Sequence, residues 1–149
     1  IGTAESVHAA NRGENITTIF VNNAIYGMTG GQMAPTSLIE QKTTTSPYGR
    51  DAKEAGHPIK ITEMLSVADG AAYVARVAVH KPKYIQKAKK AIKKAFKIQM
   101  EGKGYALVEV LSTCPTNWGM SPVDSIEWLD ENMLPVYPLG DLKDVEEDE

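Results

Sequence analysis

The sequence predicts an α/β fold in which helices cover both faces of a parallel sheet. Three observations carry this. Helical and strand patterns alternate along the chain. Each strand pattern is nearly all apolar, as strands buried on both faces must be. The 149 residues are 42% apolar, enough for one core and far from both disordered and membrane compositions.

Taken in order, residues 4–11 read as a short helix stopped near Gly13, and "NITTIFVNN" is a strand rich in β-branched residues. Residues 27–57 show no convincing periodicity. In "HPIKITEMLSVAD" Thr62 is expected to cap a helix, and "AAYVARVAVH" is the next strand. Pro82 opens a long lysine-rich helix to about Gly102. Ile85, Ala88, Ile92, Ala95 and Phe96 share one face of it, leaving the lysines solvated. A landing surface for an acidic partner is the competing reading of those lysines. "GYALVEVLST" is a third strand. Ser121 caps the final helix in "SPVDSIEWLDENM", with Pro122 in its first turn.

Charge narrows the function classes. The net charge of −3 is concentrated in the stretch 141–149, which holds six acids and one lysine, so the remainder is about +2. That stretch is read as a solvated acidic tail after a domain spanning residues 1–140, with docking as the alternative. No footprint for nucleic acid appears. No run approaches about 18 apolar residues and no secretory pattern opens the chain, so a cytoplasmic protein without membrane partners is expected. The lone Cys114 excludes an intrachain disulfide. The chain opens at Ile1 on what reads as a helix already under way, so an upstream portion is expected.

The densest chemical signal is "FVNNAIYGMTGGQMAPTS". In open parallel sheets, ligands bind beyond the carboxyl ends of strands, where Asn22 and Asn23 fall. Gly27, Gly30 and Gly31 let backbone amides turn toward an anion, Asn23 offers an amide oxygen and Thr29 a hydroxyl. Those parts suit a diphosphate with Mg²⁺, an ion that takes about six oxygen ligands. Asn23 and the Ile25 carbonyl are the candidate donors. A tight turn with no ligand would use the same residues. His8 and His57 are read as structural, and Cys114 by itself as a small buried hydrophobe.

The stretch "IGTAESVHAANRGENITTIFVNNAIYGMTGGQMAPTSL", together with "TTTSPYGRD", "GHPIKI" and "STCPTNW", closely resembles the thiamine-diphosphate-binding β subunit of 2-oxoacid:ferredoxin oxidoreductases, of the ketoisovalerate and 2-oxoglutarate type. The resemblance covers nearly the whole chain except the acidic tail. It implies a thiamine-diphosphate-binding fold whose Gly-Asp-Gly segment, carrying one magnesium ligand, lies before Ile1. It implies Asn23 and the Ile25 carbonyl as the other protein ligands of Mg²⁺. Tyr26, Gly27, Thr29 and Gly30 would line the diphosphate, and Met28 would face the substrate. Two departures stand out: Glu5 where many relatives carry a histidine, and Gly30 where many carry a lysine, which weakens a substrate-carboxylate role for this loop.

By the same resemblance, Cys114 completes the ligation of a 4Fe-4S cluster whose other cysteines lie near the N-terminus of the whole subunit. The activity implied is coenzyme A-dependent oxidative decarboxylation of a 2-oxoacid with electrons passing to ferredoxin, in a complex with alpha and gamma-type subunits. No catalytic acid or base is assigned to this chain. A non-redox thiamine-dependent decarboxylase or synthase, and a truncated non-catalytic remnant, are the alternatives. The identity of the 2-oxoacid stays open.

Overall fold

A computed structural model of the chain describes residues 2–145. Its elements in chain order are α1 (Thr3–Arg12), β1 (Thr17–Asn22), α2 (Ala52–Ala55), α3 (Ile61–Ser66), β2 (Ala71–Ala78) and α4 (Pro82–Met100). After them come β3 (Tyr105–Leu111), α5 (Pro115–Trp118), α6 (Pro122–Trp128), a π-helical turn (Leu129–Met133), α7 (Leu134–Val136) and β4 (Gly140–Asp144). They fall into two compact units. The first holds the described residues up to Val21, Ile61–Val110 and Leu139 onward, and the second holds Asn22–Lys60 and Leu111–Pro138.

The first unit is built on the sheet, with strand order β1-β3-β2-β4. The Ala106 N–H donates to the Ile16 carbonyl, and six residues on, the Ser112 N–H donates to that of Asn22, so β1 and β3 run parallel. β3 begins beside β2, where the Tyr105 N–H donates to the Gly70 carbonyl. Successive residues of a strand face opposite ways. Ala75 and Val77 pack in a cluster with Ala88, Ala91, Ala95 and Ile98 of α4, whereas Arg76 between them reaches Glu63 of α3. Helices therefore lie on both faces of β2, as its eight buried residues require.

One ion network is sealed within this unit. The fully buried Arg76 donates through Nε to Glu109 of β3 at 2.6 Å and through both terminal nitrogens to Glu63 at 2.8 and 2.5 Å. Burial alone would lower the arginine pKa, but the hydrogen bonds and charges of the two glutamates outweigh it and hold it above the ordinary value. Thr62 donates its hydroxyl to the same Glu109 oxygen. It lies inside α3 and caps nothing, because its hydroxyl is spent on a buried carboxylate.

Other expectations shift at the edges. The parallel pattern fails at β4, which pairs antiparallel with β2, Tyr73 opposite Asp144 and Arg76 opposite Gly140. Residues 141–144 are thus an edge strand rather than the start of a frayed tail. Asp141 accepts from the Tyr73 hydroxyl at 2.8 Å and Asp144 pairs with Lys94, so its charges have partners. Residues 146–149 of the expected tail lie outside the described residues. On α4 the buried face runs through Ala88, Ala91, Ala95 and Ile98, and Phe96 is 47% exposed. Gly13 ends α1 as expected, in the left-handed region at φ 65°.

The second unit orders the stretch that lacks periodicity. Arg50, 5% exposed, donates to six backbone carbonyls: Gly56 from Nε, Ala34, Pro35 and Ser37 from Nη1, Ala55 and His57 from Nη2. The buried Tyr137 hydroxyl adds a bond to the Thr36 carbonyl at 2.8 Å. Ser121 caps α6 as expected, its Oγ accepting from the Asp124 N–H. The helix that follows opens into the π-turn, where the Leu134 N–H donates to the Leu129 carbonyl, just before Pro135, which has no N–H to continue an α ladder.

Candidate functional site

At the carboxyl end of β1 the two asparagines separate in role. Asn22 is 1% exposed, and its Oδ1 accepts from the Ala24 N–H at 2.9 Å, an Asx-type turn that closes the strand. Ala24 sits at φ 55°, in the left-handed region that a non-glycine residue occupies only under constraint. The constraint is visible on both sides: Asn22 holds its N–H, and the Ser37 hydroxyl donates to its carbonyl at 2.6 Å.

Asn23 is half-buried and anchored through its backbone, whose carbonyl accepts from Trp118 Nε1 at 3.1 Å. Among the described residues, its carboxamide makes no hydrogen bond, and neither does the buried Ile25 carbonyl. A side-chain oxygen and a backbone oxygen two residues apart are therefore uncommitted. Mg²⁺ takes such hard, neutral oxygen donors alongside waters and phosphate. The arrangement passes the test of fit to that ion, and Asn22, spent on its turn, does not.

The loop beyond is a compact turn. The Tyr26 N–H donates to the Gln32 carbonyl, and the Gly31 N–H returns to the Tyr26 carbonyl at 2.9 Å. Thr29 Oγ1 donates to Gln32 Oε1 at 2.6 Å, so this hydroxyl has an internal partner. Backbone N–H groups of Gly27, Met28 and Thr29 donate to no described residue. Three successive free amides with a left-handed Gly30 after them, at φ 111°, suit an anion better than the Thr29 hydroxyl does. Tyr26 is half-exposed and Met28 fully exposed at the tip.

Cys114 lies against this loop. A Cβ added to Gly27 would stand 3.1 Å from Cys114 Sγ and 3.2 Å from Asn117 Nδ2, so any larger residue would push these two side chains back. Asn117 Nδ2 donates to the Gly27 carbonyl at 3.2 Å and to Cys114 Sγ at 3.3 Å. The sulfur is partly exposed rather than sealed in a core. That environment fits one corner of a shared metal centre and no more, since the described residues contain no group of three or more His, Cys, Asp or Glu positioned for a metal.

The structure therefore brings Asn23, Ile25, Gly27 and Cys114 into one neighbourhood and adds Asn117 and Trp118, which sequence reasoning passed over. Their signal was present in "CPTNW": a short helix after a strand, whose indole and amide point back at the strand-end loop. His8 and His57 are exposed and fill no core position. Among the described residues, no helix is long and apolar enough to cross a membrane.

Comparison with known proteins follows the same line. The family described as thiamine pyrophosphate enzyme, C-terminal TPP binding domain, matches residues 1–110. The chain is 48% identical, over 97% of its length, to the ketoisovalerate oxidoreductase subunit VorA of Methanothermobacter marburgensis, covering 30% of that protein. It is 41% identical, over 89% of its length, to the 2-oxoglutarate synthase subunit KorB of Archaeoglobus fulgidus, covering 45% of it. The fold is similar to that of the 2-oxoglutarate:ferredoxin oxidoreductase from Magnetococcus marinus, solved with 2-oxoglutarate, coenzyme A and succinyl-CoA bound. The TM-score there is 0.69 at 27% identity, over 96% of this chain and 52% of that one. The chain thus spans a third to a half of these relatives.

Proposed function

This chain belongs to the thiamine pyrophosphate enzymes through their C-terminal TPP-binding domain, and on that premise we propose that its β1-end loop holds thiamine diphosphate and Mg²⁺ within a 2-oxoacid:ferredoxin oxidoreductase subunit. The observation that carries this is the pair of uncommitted oxygens, on the Asn23 side chain and the Ile25 backbone, held around a strained Ala24. When bound, the cofactor supplies the carbon nucleophile and electron sink for decarboxylating a 2-oxoacid.

What the chain does is place and hold. Asn23 and the Ile25 carbonyl donate oxygens to Mg²⁺, and the turn at Asn22 together with Ser37 keeps them from relaxing away. The Gly27, Met28 and Thr29 amides, which have no acceptor among the described residues, would serve the diphosphate. Trp118, bonded to the Asn23 carbonyl, fixes where that ligand stands. Cys114 supplies one thiolate to an iron–sulfur centre completed by residues outside this chain. Coenzyme A, ferredoxin and the alpha and gamma-type subunits are the partners; that the relatives are named as subunits supports a multi-subunit complex, and the solved neighbour, whose name includes ferredoxin and coenzyme A, supports the other two.

A branched-chain 2-oxoacid is the substrate favoured. Met28 is neutral and adaptable, suiting an apolar chain better than a second carboxylate, and identity to the ketoisovalerate subunit exceeds that to the 2-oxoglutarate subunit. In the complete enzyme, Asn23→Ala should weaken thiamine diphosphate binding at limiting Mg²⁺ by about 10–100-fold, the scale for disturbing a metal's ligands and their supports. Asn22→Ala should instead lower thermal stability. Quenching of protein fluorescence by the cofactor, titrated against Mg²⁺, reads the first and a thermal melt the second, and an unchanged Mg²⁺ dependence in Asn23→Ala would remove the ligand set.

A further inference from the structure

We infer that the outer face of α4 is a docking surface for an acidic face of another subunit of the complex, with Phe96 and Met100 as its apolar anchor and the surrounding lysines as its charged rim. This rests on the proposed function only in taking the chain to work inside a multi-subunit assembly.

Between Lys81 and Met100 the sequence holds eight lysines and no Asp or Glu. Solvation of a helix face does not call for so one-sided a charge. Lys83 stands four residues before Lys87, Lys89 before Lys93, Lys90 before Lys94 and Lys93 before Lys97, and like charges at that spacing weaken a helix. The chain's own acids relieve little of this. Lys94 pairs with Asp144 and Lys97 meets Glu101 at 3.6 Å, whereas Lys87, Lys89, Lys90 and Lys93 have no carboxylate partner among the described residues. An acidic partner would turn that repulsion into attraction.

The apolar anchor is separate from the core. Ala88, Ala91, Ala95 and Ile98 already pack against the sheet, while Phe96 and Met100, one helical turn apart, are 47% and 87% exposed. A groove of about 770 Å³ holds these two side chains together with Lys90, Lys93, Lys94 and Lys97. Apolar centre and charged rim divide the work at protein interfaces: the centre excludes water and the rim steers the encounter. The rim here has one sign only. A second copy of this chain, meeting the first across a twofold axis, would set lysines against lysines. An anionic membrane takes a broad apolar face, and α4 has committed that face to the sheet. A protein face with carboxylates around one apolar side chain matches both the groove and its rim.

The test uses the whole subunit and the remaining subunits of the enzyme, purified apart, with their Kd measured by biolayer interferometry at low and high salt. Wild-type binding should weaken as salt rises. The double substitution Lys90→Glu, Lys93→Glu should weaken binding by about 10-fold or more at low salt and flatten the salt dependence. Phe96→Ala should cost about 10-fold at both salt concentrations, as loss of an apolar anchor does. Lys90→Arg with Lys93→Arg keeps the charge and should bind as wild type. A general loss of structure is told apart by a thermal melt of the isolated subunit: the glutamate variant removes like-charge pairs, so its Tm should hold or rise while its binding falls. Wild-type Kd in the glutamate variant or in Phe96→Ala would overturn the inference. So would self-association of the subunit, or its binding to phosphatidylserine vesicles, if the same substitutions abolished it, because either would assign the face to another occupant. No binding by the unaltered subunit at either salt concentration would overturn the multi-subunit reading beneath it.

Discussion

Neighbouring residues of identical type take different roles at the end of β1, and hydrogen bonding separates them. Asn22 spends its side chain on the turn, whereas Asn23 is held by its backbone and keeps its carboxamide oxygen available. Met28 stands fully exposed at the loop tip, and in the function proposed above it faces the substrate. Met28→Ala should change the ratio of kcat/KM values between branched-chain and short 2-oxoacids by about 10-fold, the scale of one or two methylenes in an apolar pocket. Steady-state assays across a panel of 2-oxoacids check this, and constant ratios would take Met28 out of the substrate site.

Segments without periodicity are ordered by polar anchors, and the loop of residues 27–57 shows how. Ordering such a stretch costs about 1–2 kcal/mol per residue in backbone entropy, and its apolar side chains are too few to offset that. Arg50 offsets part of it, its buried guanidinium binding six carbonyls from both sides of the loop. Lysine cannot reproduce a planar fork. Arg50→Lys should destabilise the protein by about 3 kcal/mol or more, since it strands several buried carbonyls at once. Denaturant melts, and protease cleavage within residues 34–57, would report it. Stability within about 0.5 kcal/mol of wild type would show that the loop is ordered by something else.

At the scale of the whole molecule, β4 closes an edge that β2 would otherwise present to solvent. An uncovered edge strand is a template for pairing with another chain. A chain ended after Leu139 would lose the ladder to β2, the Tyr73–Asp141 bond and the Lys94–Asp144 pair. Its Tm should fall by several degrees, and sedimentation velocity should detect more self-association than in the longer chain. A monodisperse truncated protein with an unchanged Tm would reduce β4 to ornament.

The sequence by itself determined the first three strands and the main helices between them, and pointed to the β1-end loop as the candidate site, because hydrophobic period, proline and glycine breaks and the strand-end asparagines are local signals. It also carried the likeness to thiamine-dependent subunits, which the family match bears out. Tertiary structure alone decided that residues 140–144 form an antiparallel edge, that Thr62 serves a buried glutamate rather than a helix end, and that Phe96 faces outward. It also showed the Asn22 side chain engaged in its own turn and brought Asn117 to both Gly27 and Cys114. Several of these depend on partners far away in sequence, 47 residues for Thr62 and Glu109 and 90 for Gly27 and Asn117. Local pattern holds no record of such pairings, because one hydrogen-bonding side chain suits many partners and only the folded chain selects one.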